Sequence, residues 1–109
     1  MRATIKYTAL FFLLSLTAPQ SMATGIGNAE LGKMKAPSCV FCHTVNSEDT
    51  QDHYPILNGQ DTGYLFNSMQ AYKKGDRIGP LAEMMRAQLQ NLNDDDMRDV
   101  AAFYSELSK

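Results

Sequence analysis

Cys39-Val40-Phe41-Cys42-His43, a C-x-x-C-H run, decides how the rest of this sequence is understood. Two thiols three positions apart can each add to a vinyl group of one haem, giving two thioether bonds. The histidine that follows is then held beside the iron as an axial ligand. The pattern is that of a c-type haem attachment site. The chain contains two cysteines in all, so no other thiol competes for the assignment. Other uses of the pair fit less well. Thiol–disulfide exchange through Cys39 and Cys42 needs a βαβ setting, and no run of alternating apolar residues suggests a sheet. A zinc module needs four ligands, and His53 stands only ten residues beyond His43.

Upstream of this run, Arg2 and Lys6 form a short positive region ahead of the apolar centre Leu10-Phe11-Phe12-Leu13-Leu14. Ser21-Met22-Ala23 then places small residues where a signal peptidase acts, so residues 1–23 are expected to be a secretory signal and 24–109 the folded domain. The apolar run falls short of the roughly 20 residues that span a bilayer, so no stable membrane insertion is expected after its removal. Export suits the motif, because bacteria attach haem to C-x-x-C-H outside the cytoplasm; the expected location is the periplasm.

Without the leader, ten basic residues become eight against twelve acidic ones, a formal charge of −4. Nucleic acid, whose phosphates need a basic face, is thereby disfavoured as a partner. The 86 remaining residues make one small domain with a modest core of its own. A tightly held haem would add a large apolar plate to that core and stabilise the fold.

Downstream the pattern is helical. A short helix is expected over about Ile26–Lys35, and Ala36-Pro37-Ser38 leads from it into the haem motif. Thr44 to Tyr54 is polar and acidic and reads as a surface loop, with His53 a solvated residue in it rather than a ligand. Tyr54-Pro55-Ile56-Leu57-Asn58-Gly59-Gln60 is rigid and non-helical, because proline fixes its own φ and extends the residue before it. A ligating histidine usually donates its second ring N–H to a fixed acceptor, and a carbonyl at or near Pro55 is a candidate for that role. Asp61 is a suitable N-cap for a helix running to Lys74, with Tyr64, Leu65, Met69 and Tyr72 as its expected core stripe. Arg77, in the turn-rich connection that follows, is either simply exposed or a partner for a haem propionate.

Leu81 to Asn91 reads as a further helix carrying adjacent methionines, Met84 and Met85. A thioether is a soft neutral ligand, and Met/His ligation raises a haem's potential. The two point about 100° apart on a helix, so only one should face iron. Asn93 then caps a last helix, with Met97, Val100, Ala101, Tyr104 and Leu107 on one face.

With these residues in view, the chain resembles the class I cytochromes c of the short, soluble bacterial kind, over nearly all of residues 25–108. Pro55-Ile56-Leu57-Asn58-Gly59-Gln60 is similar to the family's Pro-x-Leu-x-Gly-Gln segment, whose proline carbonyl supports the proximal histidine. Tyr64-Leu65 and Tyr72-Lys73-Lys74-Gly75-Asp76-Arg77 resemble its Tyr-Leu helix and Gly-x-Arg turn. Leu92-Asn93-Asp94-Asp95-Asp96 through Ala101-Ala102-Phe103-Tyr104 resembles its last helix. Thr44, where a glycine often follows the haem histidine, and Asn93, in place of a serine cap, depart from the pattern. The resemblance implies an all-α fold of about four to five helices wrapped around one covalently attached haem c. It places the sixth ligand seven residues before Leu92, at Met85. The implied cofactor-binding residues are Cys39, Cys42, His43 and Met85, with His43 and Met85 on the metal.

The expected function is one-electron transfer between redox proteins that meet transiently, with no catalysis of its own. Lys33, Lys35, Lys73 and Lys74 are candidates for a local basic patch. Three alternatives stand beside this reading. They are a haem subunit of a periplasmic dehydrogenase, a haem protein with an open sixth site, and the thiol–disulfide oxidoreductase already weighed.

Overall fold

The computed structural model describes residues 26–46 and 53–108. The leader 1–23 and most of the acidic loop, residues 47–52, lie outside the described residues. Four helices follow in order: α1 (Ala29–Lys35), α2 (Thr62–Lys74), α3 (Ala82–Leu89) and α4 (Asp94–Glu106). Every regular element among the described residues is helical, as an all-α class I cytochrome c fold requires.

Helix ends follow local capping chemistry. Asp61 accepts from the Tyr64 N–H at 2.8 Å and opens α2. Gly75 closes that helix at φ 86°, a left-handed conformation that glycine adopts without steric cost. Asn93 and Asp96 form a reciprocal capping box at the start of α4, with bonds of 2.9 and 3.0 Å. Asparagine therefore performs the serine's task at this cap. Helix α1 starts at Ala29, three residues later than its apolar pattern suggests. Gly27, at φ 83°, is outside helical space, and Asn28 caps the helix by accepting from the Leu31 N–H.

Helix α4 is the central element, packed against both α1 and α2, while α2 also packs on α3. Its face of Met97, Val100, Ala101 and Tyr104 joins Leu65, Met69, Leu89 and Ala36 in the core. Tyr64, expected in that stripe, is exposed instead and faces the cavity described below. The α1–α4 crossing is close because Gly32 has no side chain: a Cβ there would lie 2.0 Å from the Asp99 carbonyl oxygen.

Electrostatics lock the same crossing. Lys35 Nζ lies 2.7 Å from Asp96 Oδ1 and 2.6 Å from Asp99 Oδ2, and Asp99 Oδ1 accepts from the Asn28 N–H at 2.7 Å. Lys35 and Lys73, the latter donating to the Leu92 carbonyl, are thus engaged within the fold rather than offered as a basic patch. The hydrogen bond from Lys35 holds the Asp96 carboxyl below its ordinary value, and the two aspartates hold the Lys35 ammonium above its own. A depressed carboxyl stabilises the fold above the unfolded aspartate pKa, about 3.9, and loses that contribution as pH falls through the lowered native value. A raised ammonium stabilises below the unfolded lysine pKa, about 10.4, and loses it as pH rises through the raised value. Thermal midpoints measured across pH should therefore fall off at both ends of this window. Lys35→Met should flatten both slopes; unchanged slopes would remove the clamp from the account.

Candidate haem site

One cavity of about 1020 Å³ opens between the haem motif, α2, α3 and α4. That is at the upper end for small-molecule sites, which run to roughly 1,000 Å³. Cys39, Cys42, His43, Met84 and Met85 all line it, together with Leu57, Leu65, Met69, Leu89 and Val100. The residues singled out from sequence thus converge on one apolar space, although more than forty positions separate His43 from Met85.

The attachment motif is a helical turn. Cys42 N–H and His43 N–H both donate to the Cys39 carbonyl, at 3.1 and 2.8 Å, and Val40 N–H donates to Ala36. Positions 39, 42 and 43 stand in the i, i+3, i+4 relation and share one side of the turn. His43 is buried, and its Nδ1 lies 2.8 Å from the Pro55 carbonyl oxygen. A carbonyl only accepts, so Nδ1 carries the proton and Nε2 keeps the lone pair a metal needs. Tyr54 packs edge-on to the ring, at 6.2 Å between centroids. The Pro55 acceptor is the one expected from the rigid segment.

The two methionines differ. Met85 is partly buried and packs on the core, whereas Met84 is 46% exposed at the cavity margin. Their 100° separation around α3 has this consequence. His53 also lines the cavity, from an exposed position.

A polar group on the same cavity wall was not legible beforehand as a unit. Arg77 lies 5.1 Å over the Tyr72 ring and donates to Ser68 Oγ at 3.1 Å. Its hydrogen bonding holds the Tyr64 phenol below its usual range. Tyr104 was expected only as a core residue, yet its hydroxyl donates to the His43 carbonyl oxygen at 3.0 Å. Burial above all pushes that phenol well up, so it stays a donor.

The donor set suits a covalently bound haem: two thiols and a tautomer-fixed imidazole on one turn, a thioether on α3 and an apolar chamber between them. It does not suit thiol–disulfide exchange. Burial pushes the Cys39 thiol up, opposite to the lowered pKa of an activated nucleophile.

Comparison with known proteins bears on the same residues. A family model described as Cytochrome c matches residues 29–108. Cytochrome c-554(548) of Halomonas halodenitrificans is 40% identical over 79 residues, covering 72% of this chain and 95% of the relative. Cytochrome c4 of Stutzerimonas stutzeri is 32% identical over 103 residues, covering 89% of this chain and 48% of that one. Cytochrome c4 of Pseudomonas aeruginosa is 33% identical over 97 residues, covering 89% and 45%. The chain spans about half the length of these cytochromes c4.

Proposed function

The chain belongs to the cytochrome c family, and we propose that it is a monohaem shuttle carrying single electrons between periplasmic or membrane-bound redox partners. Electron carriage, covalently bound haem c and redox partners come with the family. Cys39 and Cys42 would form the two thioethers, His43 would bind the iron through Nε2, and Met85 would supply the second protein ligand.

The observation that carries this reading is the convergence of four side chains on one cavity, with His43 Nδ1 already committed to Pro55. When bound, the haem supplies an iron that alternates between ferrous and ferric states. The chain does the rest. Pro55 orients the imidazole and raises its basicity. As a ligand, the thioether of Met85 would favour the ferrous state and so raise the potential. Leu57, Leu65, Leu89 and Val100 keep water and bulk dielectric away. If His43 and Met85 both bound the iron, no position would remain open to a substrate, as a carrier requires.

Residues 1–23 act as the export signal in this proposal, and the location is the periplasm. Among the described residues no helix is long and apolar enough to cross a membrane. Partners meet the protein through a small, transient interface.

The decisive experiment is a redox titration of the exported protein followed by absorbance. One Nernstian one-electron transition is expected, with a Soret band that survives denaturation and acid–acetone extraction. A colourless product of peptide mass, from cells able to mature c-type cytochromes, would end the proposal.

A further inference from the structure

His43 is held at two points that one residue links. Its ring donates to the Pro55 carbonyl at 2.8 Å, and its backbone carbonyl accepts from the Tyr104 hydroxyl at 3.0 Å. Tyr104 makes a second bond elsewhere: its own carbonyl accepts from the Gly59 N–H at 2.9 Å. Gly59 lies four residues beyond Pro55, in the same rigid segment. A closed circuit results, from the His43 carbonyl to Tyr104, to Gly59, back along the chain to Pro55, and across to the His43 ring. Tyr104 is 1% exposed and sits near the end of α4, so it belongs to the most firmly packed helix.

The segment carrying Pro55 belongs to no helix and is tied to α4 through the Gly59 N–H. Among the described residues, the hydrogen bonds that tie this segment and the His43 backbone to α4 come from one side chain and one carbonyl of a single residue. From this geometry we infer that Tyr104 is a positioning residue that sets the His43–Pro55 hydrogen bond, and through it the donor strength of the imidazole toward iron. The inference rests on the proposed reading of His43 as the proximal ligand. A short, well-aligned N–H···O bond gives the ring imidazolate character, which favours ferric iron. Loosening that bond favours ferrous iron and raises the potential.

Tyr104→Phe keeps the ring and the Gly59 bond but removes the hydroxyl. In the holoprotein, its midpoint potential should rise. In the ferrous, diamagnetic state the His43 Nδ1–H resonance should move upfield and exchange faster with deuterium oxide. Asp99→Asn is the matched control: it weakens the α1–α4 contact on the same helix, lowering the thermal midpoint without moving either signal. Unchanged potential and Nδ1–H resonance in a haem-bearing Tyr104→Phe protein would overturn the role of Tyr104 alone. A wild-type protein that binds haem without His43 ligation would overturn the underlying reading instead. Should the variant fail to mature, the wild type still decides. The Gly59 N–H and His43 Nδ1–H should exchange in one common opening, and a freely exchanging Nδ1–H beside a protected Gly59 overturns the inference.

Discussion

Met85→Ala is expected to abolish the weak near-infrared absorption of the ferric protein and to open the ferrous iron to carbon monoxide. It should also lower the midpoint potential by on the order of 0.1 V or more, within the roughly 0.8 V range that axial ligands command. The thioether is a soft donor that stabilises ferrous iron, and water or nothing in its place does not. Met85 is the methionine that packs inward on the core, while Met84 stands 46% exposed beside it. Met84→Ala should accordingly leave the band in place and shift the potential little. The reverse pattern would transfer the ligand role to Met84, and retention of the band in the Met84→Ala/Met85→Ala double variant would exclude methionine ligation by this pair.

Gly32→Ala is expected to be among the most damaging substitutions of a single methyl group in the domain. The added Cβ would sit 2.0 Å from the Asp99 carbonyl oxygen and 2.9 Å from the Phe103 Cβ. The nearest obstacle is backbone of α4, which cannot swing aside as a side-chain tip does. Overpacking typically costs about 1–3 kcal/mol, and more where backbone must move. Here α1 would have to lift, and with it the Lys35 clamp on Asp96 and Asp99 and the Asn28 N–H bond. A loss above about 3 kcal/mol is expected. That corresponds to a fall of roughly 12–24 °C in thermal midpoint, since 1 kcal/mol shifts a domain of this size by about 4–8 °C. A fall below about 4 °C in the haem-bearing protein would mean that the helices separate at little cost.

Both results bear on how the domain is assembled. Helix α4 supplies the surface on which α1 and α2 pack, and its Tyr104 also reaches the haem motif. Stability and the proposed positioning of His43 therefore share one helix. Variants along α4 should be examined for both properties, since a change in one does not imply a change in the other.

Much of the site was legible from local pattern. The C-x-x-C-H spacing carries its chemistry within five residues. Proline at 55 announces a rigid carbonyl, and Asp61 and Asn93 announce helix starts, because capping acts within a single turn. What the sequence determined by itself was thus the haem attachment, the helical class and the two strongest helix boundaries. Only the tertiary structure decided that Tyr64 leaves the core for the cavity wall, that Gly32 meets the Asp99 carbonyl of α4, and that Lys35 closes on Asp99. The Tyr104 hydroxyl's bond to the His43 carbonyl belongs to the same group. Lys35 and Asp99 are 64 residues apart, and Tyr104 and His43 are 61. Periodicity places a side chain on one face of its own helix, but the group opposite comes from a distant stretch and is chosen only when the helices pack.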